Sequence, residues 1–374
     1  MKRYIILGGG IAALSAAKAI RKNDPSGLIV LLTNEDALPY NRPALTKQLL
    51  SDLSAKDIAV ERAAWYDAPG RDIIVLTGRT VSAIDTDKKT LSLADGLVFP
   101  YDKLVYALGA RCFVPPFAGS DRENVIAVRT VEDAARVRRL AKDAKDAVVI
   151  GGGVLGLEAA WSLRQGGLNV TVIEFEKQIM ARQIDEEAAA HLISAMDRHG
   201  VALLTQASAT AYDGKVLTLA DGRTLPADLV IVSAGVRANA EVAAAAGIKV
   251  DRKILVDHRM QTSAPDVYAA GDCAVCGVSY ALWAEAGEMG KVAGTNAAGG
   301  HAEYKTVPRP LIFHGFDTEL FAIGDVGRDP AKTYEVGAMP GARYYSVGDK
   351  VVGAILTGDT SLAPEAKKLV LENA

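Results

Sequence analysis

Two stretches of the chain carry the same order of apolar and polar positions. Tyr4 to Ile20 (YIILGGGIAALSAAKAI) and Ala147 to Leu163 (AVVIGGGVLGLEAAWSL) each open on an apolar run, break at consecutive glycines and continue with alanine-rich positions at helical spacing. That pattern predicts a short buried strand, a glycine loop and a helix in both places. Further on, KTLSLADG (Lys89 to Gly96) is matched by KVLTLADG (Lys215 to Gly222), and FPYDKLVYALG (Phe99 to Gly109) by LPADLVIVSAG (Leu225 to Gly235). Each pair reads as a β-hairpin leading into a buried strand that ends at a glycine. The chain therefore repeats itself, and the repeated unit predicts a doubly wound α/β fold. The first copy is the longer. Its surplus falls around PYNRPALTKQLL (Pro39 to Leu50), which has no counterpart in the second.

A glycine loop alone is weak evidence, since a surface turn looks the same. Here a strand precedes it, a helix follows, and an acidic residue stands downstream, in both copies. Glycines let backbone approach a pyrophosphate, and a helix N-terminus offers free N–H groups with partial positive charge. The first loop holds Gly8 and Gly10, with Ala13 where a third glycine often sits; Glu35 follows the run LIVLLTNE and is placed to hold an adenosine ribose. The second loop has Gly151, Gly153 and Gly156, and NVTVIE ends on Glu174. A carboxylate there accepts from a ribose 2′-hydroxyl and repels a 2′-phosphate, so NADH is expected over NADPH. An ordinary strand-end glutamate is the alternative for Glu174.

Composition narrows the picture. A chain of 374 residues is long enough for two or three domains, and 49% apolar with 23% charged residues suits a globular enzyme. Lys plus Arg (42) nearly balance Asp plus Glu (45), for a net charge of −3, which excludes the basic field of a nonspecific nucleic-acid binder. No apolar run reaches a bilayer's thickness. Met1-Lys2-Arg3 and the apolar stretch after it read as strand, loop and helix rather than a signal peptide. Three cysteines (Cys112, Cys273, Cys276) form no disulfide framework and point to a reducing cytoplasm. His191, His199, His258, His301 and His314 are scattered and show no metal spacing.

Beyond the two loops, TSAPDVYAAGDCA (Thr262 to Ala274) resembles the closing FAD motif of flavoproteins with two dinucleotide-binding domains, the pyridine-nucleotide oxidoreductases. The resemblance covers nearly the whole chain. It implies a glutathione-reductase-like pair of Rossmann-like domains plus a small C-terminal α/β domain. The expected boundaries are residues 1–111 and 240–302 for FAD, 112–239 for NAD and 303–374 for the C-terminal interface domain. Asp272, after Gly271, is expected on the flavin's ribityl chain, and the segments ending at Gly109 and Gly235 resemble the crossovers between domains. PYNRPALTK is similar to the PYxRPxLSK segment of reductases that serve rubredoxin, ferredoxin or nitrite reductase, and of apoptosis-inducing-factor-like proteins; Thr46 stands for the usual serine. The resemblance implies Lys47 beside the flavin N5, paired with Glu158, as the catalytic groups. Periodicity alone favours two surface charges that never meet. Arg42, Pro43 and Ala107 join the implied FAD contacts. YALWAEAGEMGKVAGTNAAG (Tyr280 to Gly300) resembles the helix whose N-terminus faces the flavin pyrimidine in rubredoxin reductases. Trp283 is expected either on the flavin ring or in the core.

Disulfide reductases of this kind need cysteines near the flavin or in the NAD domain, and neither Asn41 to Leu50 nor the second copy has one. Cys273 and Cys276 have C-x-x-C spacing but follow Asp272 at the ribityl end of FAD, so redox or zinc roles are not expected. The resemblance thus implies hydride transfer from NADH to FAD and onward passage of single electrons to a small carrier. Rubredoxin is the first choice, since the short C-terminal region and ALWAEA look most like rubredoxin reductases. A related iron–sulfur protein or a nitrite-reductase partner comes next. A peroxide-forming NADH oxidase and an apoptosis-inducing-factor-like NADH sensor are the rivals. No oligomeric state is assigned.

Overall fold

The computed structural model describes residues 1–373 and divides into two compact units. The first comprises Met1–Pro43, Leu53–Arg111 and Val236–Thr306; the second comprises Ala44–Asp52, Cys112–Gly235 and the chain from Val307 onward.

In the first unit a five-stranded parallel sheet runs in the order Val267–Ala269, Lys103–Tyr106, Arg3–Leu7, Leu28–Leu32, Ile73–Leu76. Its strands are apolar almost throughout because helices cover a parallel sheet on its faces. Tyr4, Ile6, Leu7, Ile29 and Leu31 are wholly buried. The helices Ile11–Asn23 and Trp283–Ala297 pack backbone against backbone. A Cβ on Gly290 or Gly294 would stand 2.1 or 2.3 Å from the carbonyl oxygens of Ala12 or Ala16. The hairpin strands Val81–Asp85, Thr90–Leu93 and Val98–Pro100 make a small antiparallel sheet.

The second unit repeats the plan. Its parallel sheet has the order Val201–Leu204, Asn169–Ile173, Asp146–Ile150, Leu229–Val232, Val125–Ile126, and Ala209–Tyr212, Val216–Leu219 and Thr224–Pro226 form the matching hairpin sheet. In both units the strand that leads into the glycine loop lies at the middle of the sheet. The internal repeat is therefore structural.

Residues 44–52 group with the second unit. Thr46 donates to Glu158 there, and Leu50 fills the space where a Cβ on Gly166 would sit, 2.3 Å away. The chain from Val307 onward forms an antiparallel sheet, in the order Leu311–Gly315, Thr318–Gly324, Lys350–Thr357, Ala342–Val347, Glu335–Met339, with the helix Ala363–Glu372. It groups with the second unit. Phe316 packs edge-on against Trp161, at 5.2 Å between ring centres, and Arg343 pairs with Asp185 at 2.7 Å.

Asp228 ties the start of the second sheet together. It accepts from Lys215 Nζ at 2.6 Å and from the N–H groups of Lys145 and Asp146 at 2.9 and 3.2 Å. The Lys215 bond, then those two donors, hold its carboxyl at about 2, against an ordinary 3.8. The folded value lies below the unfolded one, so its stabilisation is complete above about pH 3.8 and fades as pH falls toward 2. Asp228→Asn is expected to cost about 1 kcal/mol at neutral pH in denaturant melts, solvent screening included, with the deficit vanishing at the acid end.

Candidate functional site

Each glycine loop delivers the chain to a helix that starts without a cap. The helix Ile11–Asn23 begins after Gly10, and Val154–Gln165 after Gly153; neither has a side-chain cap or an acidic residue in its first turn. Two other helices of similar length start differently. Val131–Ala141 is closed by the Thr130–Asp133 capping box, and Glu186–Arg198 by Asp185. A helix leaves its first N–H groups unsatisfied, so the two uncapped starts present free donors. A Cβ placed on Gly10 or Gly153 would meet no protein atom within 4 Å. Donors facing open space at a helix N-terminus suit a diphosphate. The residues fit a dinucleotide in both units.

The loops are held by close approach. Gly8 has φ +119°, and its Cβ would lie 2.1 Å from the Ala107 carbonyl oxygen. Gly151, at φ +112°, stands likewise 2.4 Å from the Ser233 oxygen, and a Cβ on Gly156 would reach the Gly151 oxygen at 2.0 Å. Ala107 thus walls the first loop. Ala13 is fully buried on the helix, where a larger residue would push it off the sheet. Gly109 and Gly235 lie just past the ends of their buried strands.

Near the first loop, Glu35 is engaged on both oxygens. Tyr40 donates to Oε2 at 2.5 Å and Arg42 pairs with Oε1. The Arg42 guanidinium lies 4.9 Å from the Tyr40 ring centre and donates to its hydroxyl at 3.0 Å. Burial opposes the Arg42 charge, but Tyr40, Glu35 and the more distant Asp272 outweigh it, and its pKa is raised. Gly271 brings its segment to the same helix, with a Cβ position 3.0 Å from Ala12 Cβ. Pro43 ends the first stretch of this unit and is half-buried. Tyr40, which sequence reasoning passed over, sits inside the PYNRP segment. Its signal was the aromatic ring two residues before Arg42.

Lys47 and Glu158 lie in the second unit, on the helices Ala44–Lys47 and Val154–Gln165. The bond to Glu158 comes from elsewhere than expected. Thr46 Oγ1 donates to Glu158 Oε2 at 2.6 Å, whereas the Lys47 side chain is exposed. Glu158 is only 5% exposed. Burial pushes its carboxyl up, while the Thr46 bond and the charges of Lys47 and His314 pull it part of the way back. Glu174 Oε2 accepts from the Gly152 N–H at 2.6 Å and Oε1 from the Glu176 N–H at 2.8 Å, so its carboxylate stands against the second loop.

The helix Trp283–Ala297 carries an acid in its first turn. Glu285, 2% exposed, accepts from the Tyr280 N–H at 2.9 Å, the Leu282 N–H at 3.5 Å and the Tyr304 hydroxyl at 3.2 Å. Of the two backbone donors, Leu282 is the N-cap of the helix and Tyr280 lies before it. Trp283 is half-buried at the start of this helix.

Residues 2–290 match the pyridine nucleotide-disulphide oxidoreductase family. The chain belongs to that family. Its two parallel sheets, each with a glycine loop at the central strand, are the Rossmann-like domains of that family. It is 36% identical to the ferredoxin–NAD(+) reductase component of the anthranilate 1,2-dioxygenase system of Burkholderia cepacia, over 87% of this chain and 82% of that one. It is 34% identical to the assimilatory nitrate reductase electron transfer subunit of Bacillus subtilis (strain 168), over 96% of this chain. The chain spans only about half of that relative's length, 48%. The structure of NADH:rubredoxin oxidoreductase from Clostridium acetobutylicum superposes with a TM-score of 0.84 at 26% identity, covering 100% of this chain and 96% of that one.

Cys112, Cys273 and Cys276 are free thiols. Burial pushes Cys273 up to about 12 and raises Cys276 and Cys112 as well, so none supplies a ready thiolate. Among the described residues no His, Cys, Asp or Glu cluster is arranged for a metal ion, and no helix is long and apolar enough to cross a membrane.

Proposed function

We propose that this chain oxidises NADH and passes the electrons one at a time to a small iron–sulfur or rubredoxin-type carrier protein. The carrying observation is the pair of uncapped helices with no acid in the first turn, each opening on a glycine loop with open space above its cap residue. FAD, when bound, supplies the acceptor of the hydride and the means of releasing two electrons singly. The first unit holds it: N–H groups beyond Gly10 take the diphosphate, Glu35 the ribose, and Asp272 the ribityl chain. Arg42, locked by Tyr40 and Glu35, keeps a positive charge at this site. The second unit holds NADH. N–H groups beyond Gly153 bind its diphosphate, Glu174 accepts from the adenosine ribose, and Glu158 accepts from the nicotinamide amide. Positioning of this kind supplies most of the rate of a hydride transfer.

Likeness to a ferredoxin–NAD(+) reductase component and to an NADH:rubredoxin oxidoreductase supports the choice of carrier. A second reading, the flavin part of a nitrate- or nitrite-reducing system, is favoured by the match of nearly the whole chain to half of the Bacillus subtilis subunit. Three free thiols favour a cytoplasmic setting. The test is stopped-flow mixing. NADH under nitrogen should bleach the flavin, and rubredoxin or ferredoxin should restore its colour far faster than air does. Reoxidation by dioxygen at the same speed would replace the carrier by a peroxide-forming oxidase.

A further inference from the structure

The surplus segment of the first copy leaves its own half and packs on the nucleotide-binding helix of the second. Residues 44–52 group with Cys112–Gly235, and their short helix Ala44–Lys47 lies on Val154–Gln165. At the contact stands a buried carboxylate, Glu158, whose hydrogen-bond donor is the Thr46 hydroxyl at 2.6 Å. Both side chains are buried, at 5% and 7% exposure. A buried carboxylate is costly unless it is bonded and compensated. Lys47 faces it only as an exposed charge, so the bond itself is made by a neutral hydroxyl.

We infer that Thr46 is a positioning residue for NADH oxidation: its hydroxyl fixes the Glu158 carboxylate on the helix that binds NADH. The inference rests on the reading that Val154–Gln165 holds the dinucleotide, and it adds a residue to that reading. One oxygen of Glu158 is occupied by Thr46, which leaves Oε1 to accept from the nicotinamide amide. A hydrogen bond to the charged form also favours ionisation, so Thr46 widens the pH range over which Glu158 is an acceptor only.

The other groups around Glu158 are few. Lys47 comes from the short helix. His314 comes from the strand Leu311–Gly315 and is itself paired with Glu319 at 3.3 Å. The sheet strands beneath the helix are uncharged except for Asp146, at the start of its strand, which accepts from Asn169 at 3.0 Å. On the helix itself, Arg164 is committed to the carbonyls of His199 and Leu168.

The experiment compares single-turnover flavin reduction by NADH, under nitrogen and across pH, in the FAD-loaded protein and its variants. Thr46→Val should slow reduction by about 10-fold on the acid side and move the acid midpoint up by about one pH unit, as expected for loss of a bond to a charged group. Thr46→Ser should restore both within about 2-fold, because it returns the donor. Thr46→Ala serves if the valine variant does not fold. In a Glu158→Gln background Thr46→Val should no longer move any midpoint, whereas a shift carried by another group would persist there. An unmoved midpoint in the single variants, or an equal shift in the Glu158→Gln background, overturns the assignment. A wild-type flavin that NADH fails to bleach would remove the functional reading itself, a separately visible result.

Discussion

A Gly8→Ala variant is expected to fold with little or no bound FAD. At φ +119° an L side chain is strained wherever it points, a cost of about 1–3 kcal/mol. The added Cβ would also lie 2.1 Å from the Ala107 carbonyl oxygen, which is backbone at the end of a central strand and cannot rotate away. The loop must therefore shift, and the N–H groups proposed to hold the diphosphate shift with it. Flavin absorbance relative to protein after desalting should fall at least about 10-fold, the loss of a charge-assisted bond or two. Gly10→Ala is the informative control. Its Cβ meets no protein atom within 4 Å, so the thermal melt should match wild type. Any loss of FAD there reports crowding of the ligand and not of the loop. Full flavin occupancy in Gly8→Ala would mean that FAD is held somewhere other than this loop.

The repeat was legible because it is written in burial. Runs such as YIIL and AVVI become the central strands of two parallel sheets, and period-two stretches such as KTLSLADG become hairpins, each a matter of local spacing. What spacing does not carry is the partner of a side chain far away in sequence. Thr46 and Lys47 are neighbours on one short helix, yet one is buried against Glu158 and the other is exposed. That outcome is decided by how residues 44–52 leave the first unit, anchored by Leu50 at Gly166, and no periodicity of Pro39 to Leu50 records it. The C-terminal sheet illustrates the same limit. Its grouping with the second unit rests on contacts such as Phe316 with Trp161 and Arg343 with Asp185, between the C-terminal sheet and residues laid down much earlier in the chain.

Glu285 shows a different loss of information. In ALWAEA the glutamate occupies the third helical position, where a carboxylate commonly bonds back to the N-cap N–H. The small residues around it make the helix dipole, not the acid, the more legible feature of this stretch. The structure has the carboxylate accept from Tyr280, Leu282 and Tyr304, so the charge that shapes this helix start belongs to the protein.

Replacing Glu174 by arginine should invert the preference between NADH and NADPH. The carboxylate now accepts from the Gly152 N–H at 2.6 Å and the Glu176 N–H at 2.8 Å, and each oxygen keeps a second lone pair for a ribose hydroxyl. A bond to a charged acceptor contributes about 1.5–3 kcal/mol, so kcat/KM for NADH should drop by roughly 10- to 100-fold. On the proposed placement of the adenosine ribose the new guanidinium would face a 2′-phosphate in place of a repelling carboxylate, so NADPH should gain while NADH loses. Loss of the Gly152 contact will loosen the loop for both nucleotides alike, which makes the ratio of the two kcat/KM values the decisive readout. Glu174→Gln separates the causes further: it keeps an acceptor for Gly152 but removes the charge, and should relax selectivity without inverting it. A ratio unchanged in Glu174→Arg would place the adenosine ribose away from the end of the strand Asn169–Ile173, and with it the whole account of how the second loop chooses its nucleotide.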